Sequence, residues 1–170
     1  MTLRCRALGW FTIIASCVAV IDQLSKYYTQ FVLGDGNAFE VTSFLNFVVV
    51  YNRGAAFGFL NQQGGWQIVF FATIALLVLA YLIHHIWHEA YQSRLLVIGY
   101  SFIAGGAIGN LTDRLIRGSV LDFIDVHWQT SHFWVFNLAD AALTLGVSLI
   151  IVSALLGNSN FESSRGDESS

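Results

Sequence analysis

Residues 136–156 read FNLADAALTLGVSLIIVSALL, an apolar run that carries one acid, Asp140, near its start. From Leu138 to Leu156 the run is long enough to cross the hydrocarbon core of a bilayer, about 30 Å, as a helix. An ionisable side chain at bilayer depth costs roughly 2.5–3.5 kcal/mol on insertion scales, so it usually persists because the protein needs it. The stretch therefore predicts a membrane span with a functional acid at one end.

The overall composition also indicates a membrane protein. The chain has 170 residues, of which 55% are hydrophobic and only 11% are charged, whereas a typical soluble domain is about 25% charged. The formal net charge of -3 and the lack of any basic run argue against a nucleic-acid partner. No group of Cys and His residues has the spacing of a zinc site. We therefore expect neither a metal nor another cofactor.

Three further apolar runs precede the one that contains Asp140. The first is too short before Asp22 to cross a bilayer, so its helix must continue and carry Asp22 into the outer part of the bilayer. We predict an all-α membrane protein with four transmembrane helices at about 8–29, 66–87, 95–112 and 138–156. Together they form one domain, residues 1–157, and the polar segment 158–170 is expected to be a disordered cytoplasmic tail.

Threading the chain through four spans collects its polar residues at one membrane face. Four spans with short or medium connections place both termini on the same side. The ends of spans one and three and the start of span four then meet on the other side, whereas span two carries no acid within its apolar body. The residues gathered in this way are Asp22, Asn110, Asp113, Asn137 and Asp140. This segregation predicts a single site.

Charge counting does not decide which side of the membrane carries that site. The positive-inside rule compares the Lys and Arg residues near the two ends of the spans. Four such residues lie on the side of the termini and four on the side of the predicted site. Arg4 and Arg6 precede the first span, which usually dominates, and they favour cytoplasmic termini.

The segment 31–65, between the first two spans, is too long for a simple turn. Residues Phe44 to Tyr51 are rich in β-branched and aromatic side chains and predict a strand. Gly54 and Gly58 provide turns or close backbone approaches. We interpret the segment as a small β-rich cap that lies on the membrane surface over the site. The alternative is an ordinary extramembrane hairpin.

A second acid, Asp122, lies between spans three and four in the stretch Gly118-Ser-Val-Leu-Asp-Phe-Ile-Asp. It would meet Asp140 if residues 123–137 fold back. Two carboxylates within hydrogen-bonding distance share one proton, and their pKa values split apart. The ionised acid can then take a proton from water while the protonated acid polarises a carbonyl, as in aspartic proteases. Asn137 would hold a carboxylate or a substrate carbonyl.

Three other interpretations of these acids stay open on spacing alone. In the first, the acids have only structural roles: Asp122 and Asp125 are loop residues, and Asp140 caps the N-terminus of a helix, where an acid is favourable. The spacing from Gly118 to Asp125 is similar to the acidic motif of metal-dependent CDP-alcohol phosphotransferases, but the second acid falls one position short and the upstream part is missing. A proton-coupled carrier would use such acids as relays, although four short spans are few for a carrier.

Three remaining features each have a structural and a functional interpretation. Ile14-Ala-Ser-Cys17 resembles a lipoprotein signal with Cys17 as the lipid acceptor, but the apolar run continues through Cys17 and favours an uncleaved anchor. His84 and His88 have a spacing that can bind a metal, yet no carboxylate motif follows, which favours a solvated helix end. Gly105 and Gly109 predict close helix packing in span three.

Five stretches in order resemble the motif set of lipoprotein signal peptidases, also called signal peptidase II. They extend from span one through span four and leave only the tail after Gly157 unmatched. The stretches are Asp22-Gln-Leu-Ser-Lys26, Tyr51-Asn-Arg-Gly-Ala-Ala-Phe57, Gly106-Ala-Ile-Gly-Asn-Leu-Thr-Asp-Arg114, Val120-Leu-Asp-Phe123 and Phe136-Asn-Leu-Ala-Asp140. Each motif alone is weak, whereas the ordered set with four spans is highly specific.

The resemblance implies a bacterial inner-membrane aspartic endopeptidase with its site near the periplasmic face and its termini in the cytoplasm. Such enzymes remove the signal peptide from prolipoproteins just before a cysteine that already carries diacylglycerol. Asp122 and Asp140 match the catalytic pair, and Asp22 and Lys26 match a polar pair at the outer end of span one. Positions that line or brace the site are matched by Asn52, Gly54, Asn110, Asp113, Arg114 and Asn137. The implied partners are diacylated prolipoproteins and membrane lipid, and we expect a monomer.

Overall fold

The protein is described here by a computed structural model, which covers residues 2–54, 66–88, 93–129 and 131–167. Four long helices lie within these residues, and each contains a stretch long and apolar enough to cross a membrane. The helices are α1 (Leu3–Leu33), α2 (Trp66–His88), α3 (Arg94–Arg117) and α4 (Leu138–Asp167). The prediction of four transmembrane helices is confirmed.

The fourth helix is longer than its membrane span. The apolar stretch of α4 is Leu138–Leu156, which agrees with the predicted span, but the helix continues to Asp167. It therefore passes through part of the segment 158–170, for which the sequence predicts a disordered tail. The behaviour of that tail stays a prediction.

Helix α3 is the central helix of the bundle, and its glycines permit close contact with two neighbours. A Cβ atom on Gly105 would lie 2.7 Å from the carbonyl oxygen of Ala15 in α1. A Cβ atom on Gly106 would lie 2.5 Å from the carbonyl oxygen of Ala139 in α4. Gly109 likewise lies directly against the Asp22 carboxylate of α1. The close packing predicted for Gly105 and Gly109 is thus confirmed, and it brings α1, α3 and α4 together at the predicted site.

The segment between α1 and α2 supplies two strands, β1 (Ala38–Thr42) and β2 (Leu45–Asn52). The β-rich cap predicted there is confirmed, and β2 is the strand predicted at Phe44 to Tyr51. Residues 55–65, which include Gly58 and complete the predicted cap, lie outside the described residues.

The sheet is larger than the sequence predicts, because the segment between α3 and α4 adds β3 (Val120–Trp128) and β4 (Ser131–Phe136). The strands form one antiparallel sheet in the order β1-β2-β3-β4. Asp122 and Asp125 are therefore strand residues rather than the loop acids of the alternative interpretation. Gly118 makes the change of structure possible: its φ of 72° ends α3, and its N–H bonds the carbonyl of Arg114 at 3.1 Å.

A small apolar cluster fixes the sheet on the ends of the helices. Val49 of β2 and Leu121 and Phe123 of β3 are buried together, and they pack against Leu33 at the end of α1 and Leu138 at the start of α4. Because side chains alternate along a strand, Leu121 and Phe123 direct Asp122 to the other face of the sheet. The cluster thereby sets the position of Asp122 relative to α4.

Three residues with alternative functional interpretations lie away from this junction. Cys17 is exposed within α1, which continues without a break from Leu3 to Leu33. His84 and His88 are exposed near the far end of α2, with ring centroids 4.4 Å apart. That the chain is not cleaved before Cys17, and that the histidines bind no metal, stay predictions.

Candidate active site

A buried ion network ties the outer end of α1 to α3. The ammonium Nζ of Lys26 lies 2.8 Å from Asp22 Oδ2 and 2.9 Å from Asp113 Oδ2, and all three side chains are fully buried. Asp22 and Lys26 are one helical turn apart on α1, so the helix itself aligns this pair. Removing one member of a buried ion pair leaves the charge of its partner buried and uncompensated, which makes the three residues one structural unit.

Backbone donors complete the coordination of the two carboxylates in this network. Asp22 Oδ1 accepts from the N–H of Ala139 at 2.9 Å, in the first turn of α4. Asp113 Oδ2 accepts from the N–H of Leu121 at 3.1 Å, in β3. The side-chain amide of Gln23 lies within 3.2 Å of an oxygen of each acid. The network therefore holds α1, α3, α4 and β3 in one arrangement.

Asp122 lies in β3 opposite Val50 of β2, with only 3% of its surface exposed. Asn52 Nδ2 donates to Asp122 Oδ2 at 3.0 Å, and Asn137 Nδ2 donates to Asp122 Oδ1 at 2.6 Å. Burial raises the pKa of Asp122 to about 6, and the charge of Asp140 adds to the rise, while both amide donors and Lys26 lower it. A carboxyl of this kind can exchange a proton near neutral pH.

Asp140 lies in the first turn of α4 and is held by a reciprocal pair of hydrogen bonds with Asn137. The N–H of Asp140 donates to Asn137 Oδ1 at 3.0 Å, and the N–H of Asn137 donates to Asp140 Oδ2 at 3.3 Å. This is the pattern of a capping box, in which each side chain satisfies a backbone donor at the start of the helix. Asp140 therefore does take part in capping the N-terminus of α4. This leaves Asp140 Oδ1 directed at another group, the amide of Asn110 at 2.8 Å.

Asn137 connects the two acids. Its side chain is fully buried, its Nδ2 atom donates to Asp122 Oδ1, and its Oδ1 atom accepts from the N–H of Asp140. The same Nδ2 atom donates to Asn110 Oδ1 at 3.2 Å. Residues 123–137 therefore fold back as predicted, and they place Asp122 and Asp140 on either side of one amide.

Lys26 determines which way the amide of Asn110 points. Its Nζ atom, which can only donate, lies 3.2 Å from Asn110 Oδ1. The Nδ2 atom of Asn110 must then face the opposite direction, where it donates to Asp140. The buried ion network is thereby linked to the acid pair through a single asparagine.

Gly54 performs a similar orienting function for Asn52. Its N–H donates to Asn52 Oδ1 at 2.8 Å, so the Nδ2 atom of Asn52 is free to face Asp122. The φ of Gly54 is 89°, a conformation that residues with a side chain rarely adopt. A Cβ atom there would also collide with the ring of Phe71 in α2. Only glycine fits this position.

Arg114 lies beside the acid pair at the end of α3. Its Nη1 atom donates to the carbonyl of Asn110 at 3.1 Å, and its Cζ atom lies 4.6 Å from the ring centroid of Phe71. Its charge interacts with those of Asp140 and Asp122. The guanidinium is half-buried. It is held by these contacts and can still reach a bound molecule.

Every site residue predicted from the sequence belongs to this connected set, although the roles assigned to them stay predictions. The members are Asp22, Lys26, Asn52, Gly54, Asn110, Asp113, Arg114, Asp122, Asn137 and Asp140. Gln23 and Phe71 also belong to it and were not predicted. Gln23 lies next to Asp22 in a quoted motif, whereas Phe71 has no signal because it is one of many apolar residues in α2.

Asp125 lies outside the site. It follows Asp122 by three positions, so strand alternation directs it to the other face of the sheet, where Asn46 Nδ2 donates to its Oδ2 atom at 3.3 Å. Within the described part of the chain, no group of three or more His, Cys, Asp and Glu residues could hold a metal ion. The donors that face Asp122 and Asp140 are amides and backbone N–H groups. That no metal is used stays a prediction.

The chain is similar to known proteins along nearly its whole length. Residues 14–156 match the family model of signal peptidase (SPase) II. The chain is 44% identical over 147 residues to the lipoprotein signal peptidase of Coxiella burnetii, covering 86% of this chain and 88% of that protein. It is also 44% identical over 153 residues to the enzyme of the same name from Aeromonas hydrophila, covering 89% of this chain and 91% of that protein.

The fold agrees with an experimental structure as well. A bacterial membrane enzyme determined by the in meso method at 2.3 Å resolution superposes with a TM-score of 0.78 at 36% sequence identity, covering 89% of this chain and 91% of that one. Fold, motif order and sequence identity therefore lead to one family. The chain belongs to the signal peptidase II family of membrane proteases.

Proposed function

We propose that this protein is an aspartic endopeptidase that cleaves the signal peptide from diacylglyceryl-modified prolipoproteins, on the N-terminal side of the lipid-modified cysteine. The observation that carries the proposal is that Asn137 donates to both carboxylates, with its side-chain amide to Asp122 Oδ1 and with its backbone N–H to Asp140 Oδ2. One of these acids is buried and has a pKa raised to about 6. Family membership supports prolipoprotein processing as the reaction.

The chemistry uses one proton shared by the pair. The ionised carboxylate takes a proton from a water molecule, whose oxygen attacks the scissile carbonyl carbon. The protonated carboxyl donates its proton to the carbonyl oxygen, which gives a tetrahedral diol and leaves the pair again with one proton. That proton then passes to the amide nitrogen, the C–N bond breaks, and one diol hydroxyl returns its proton to a carboxylate.

The asparagines keep the two carboxylates in position for these transfers. Asn52, Asn110 and Asn137 each donate to one of the two acids, so neither carboxyl group can rotate freely. Such preorganised donors cost no rearrangement at the moment of reaction. Arg114, half-buried beside the pair, would hold a backbone carbonyl of the substrate in its planar fork.

The position of the site suits a substrate that stays in the bilayer. The acid pair lies where β3 meets the ends of α3 and the start of α4, at one end of the apolar spans. A diacylated cysteine keeps its acyl chains among lipid while the peptide bond beside it reaches this level. We place the protein in the bacterial inner membrane as a monomer in contact with lipid, with cytoplasmic termini and the site near the periplasmic face.

The experiment is cleavage of a purified diacylated prolipoprotein by the purified protein in detergent or lipid, with and without EDTA. The matched control substrate is the same prolipoprotein without its diacylglycerol, which we expect to be cleaved much more slowly. Cleavage should occur just before the modified cysteine and should survive EDTA. Loss of cleavage with EDTA and its rescue by magnesium would instead show that the reaction needs a metal, which contradicts the proposed aspartic mechanism.

A further inference from the structure

Phe71 lies in the apolar run of α2, yet its ring contacts two members of the site. The Cζ atom of Arg114 lies 4.6 Å from the ring centroid, which is the geometry of a cation–π contact. The ring also lies so close to the backbone of Gly54 that any Cβ atom there would collide with it. Through this one residue, α2 contacts both the end of α3 and the turn that follows β2.

The two contacts of Arg114 define its orientation together. Its Nη1 atom donates to the carbonyl of Asn110, one helical turn earlier on α3. A single hydrogen bond fixes one corner of the guanidinium but lets its plane turn about that bond. The face of the Phe71 ring removes this freedom, because the cation–π attraction favours a position over the ring.

The orientation matters because Arg114 acts on the acid pair. Its charge interacts with those of Asp140 and Asp122, and the Asn110 residue that anchors it also donates to Asp140. Removal of the ring would let the guanidinium turn toward solvent, away from the carboxylates. The effect on catalysis would therefore arise through Arg114, not through direct contact with the substrate.

We propose that Phe71 is a positioning residue that holds the guanidinium of Arg114 toward the acid pair. The proposal rests on the proposed function, since the reaction it modulates is prolipoprotein cleavage. Gly54 contributes by leaving room for the ring. The same aromatic contact joins α2 to the site, and α2 is otherwise a helix without an acid in its apolar body.

The first test compares Phe71→Leu with Phe71→Trp, which keeps a ring for the cation. The matched control is Phe39→Leu, the same change in the edge strand β1, at a residue that is 58% exposed. Loss of a cation–π contact should lower kcat/KM roughly three- to thirtyfold in Phe71→Leu. We expect Phe71→Trp to stay within about threefold of wild type, as Phe39→Leu should. Equal activity of Phe71→Leu and wild type would overturn the proposal.

The second test is a double-mutant cycle with Arg114→Gln. If Phe71 acts through Arg114, then Phe71→Leu should change kcat/KM less than about twofold once the cation is gone. A loss as large in that background as in wild type would mean that Phe71 has only a packing role, and would overturn the proposal. Wild-type cleavage is measured in the same series, so failure of the proposed function, with no cleavage by wild type, is distinguishable from failure of this inference.

The pH dependence gives a readout that a packing role would not change. A cation that moves away from a carboxylate raises the pKa of that carboxylate. The acidic limb of the kcat/KM profile should therefore move to higher pH in Phe71→Leu but not in Phe71→Trp. Thermal unfolding and size-exclusion profiles of both variants verify that they are folded. Superimposable pH profiles for folded Phe71→Leu and wild type would contradict the inference.

Discussion

The side-chain amide of Asn137 donates to the carboxylate of Asp122 at a distance of 2.6 Å between Nδ2 and Oδ1. This bond joins β3 to the residue that precedes α4, so the sheet and the fourth helix cannot move independently at the site. It also explains how one acid on a strand and another on a helix, 18 positions apart in the sequence, come to lie around the same asparagine.

Replacing either member of the pair by asparagine should abolish cleavage. Asp122→Asn and Asp140→Asn each remove the group that exchanges the shared proton. If the two acids act as one unit, as proposed, the double variant should be little worse than either single variant. The measurement is the initial cleavage rate of each folded variant. Substantial turnover by a folded Asp140→Asn protein would contradict the proposed catalytic role of Asp140.

Ionisation of Asp122 should lower the stability of the folded protein as the pH rises. The pKa of Asp122 is raised from 3.8 to about 6, so the folded state holds this proton more tightly than the unfolded chain. That stabilisation is complete below pH 3.8 and is lost as the pH rises through about 6. It corresponds to at most about 3 kcal/mol.

The unfolding temperature of the wild type in detergent, measured from about pH 4 to pH 8, tests this linkage. Asp122→Asn cannot ionise at this position, whereas every other titratable residue is still present. The wild-type unfolding temperature should therefore fall more steeply with rising pH than that of Asp122→Asn. Parallel curves for the two proteins would mean that Asp122 has an ordinary pKa.

Two asparagines on β2 provide a matched test of the donors. Asn52 donates to Asp122 at 3.0 Å, and Asn46 donates to Asp125 at 3.3 Å across the same pair of strands. A hydrogen bond to a charged group contributes about 1.5–3 kcal/mol, or roughly ten- to a hundredfold. We expect Asn52→Ala to lose activity to that extent, because the pKa of Asp122 rises further without this donor. Asn46→Ala should keep near-normal kcat/KM, and equal losses in both variants would contradict a specific role for Asn52.

Lys26 should be far more important for stability than an exposed lysine. Lys26→Met leaves the carboxylates of Asp22 and Asp113 buried without their cation, and breaking a buried ion pair costs about 3–5 kcal/mol. Chemical unfolding in mixed micelles measures the loss. Combining Lys26→Met with Asp22→Asn and Asp113→Asn should restore much of the stability, since no buried charge is then unpaired. A triple variant that is as unstable as Lys26→Met would argue against this explanation.

Arg114→Lys should weaken catalysis strongly but leave more activity than the loss of either acid. A lysine keeps the charge but has no planar fork that can donate several hydrogen bonds while it lies over the Phe71 ring. We expect a ten- to hundredfold loss, from about 1.5–3 kcal/mol, when initial rates are compared with those of wild type and Asp122→Asn. Wild-type kinetics would show that Arg114 is a surface anchor, and complete inactivity in a folded protein would place it closer to the chemistry.

Site residues inside the spans are predictable from sequence because polar side chains stand out among apolar ones. Asp22, Lys26, Asn110 and Asp113 interrupt helices that are otherwise apolar, and threading four spans is enough to bring them to one end. The pairing of Lys26 with both acids, by contrast, depends on side-chain directions that spacing alone does not determine.

The strand that carries Asp122 is not predictable from its pattern. Asp122 and Asp125 are three positions apart and lie on opposite faces of β3, so they break the alternation that marks a half-buried strand. Both acids are buried by neighbours far away in the sequence. The role of Phe71 is not predictable either, because an aromatic residue in a membrane span is ordinary. Only the tertiary fold places its ring against Arg114.

The buried ion network has a consequence for the biogenesis of the protein. Asp22 and Lys26 lie on the same helix, one turn apart, so α1 can enter the bilayer as a segment whose two charges neutralise each other. Asp113 is synthesised some ninety residues later and adds a second carboxylate to the same ammonium. Lys26 can therefore be held by Asp22 before α3 is synthesised, and we expect its contact with Asp113 to form only after α3 has also entered the membrane.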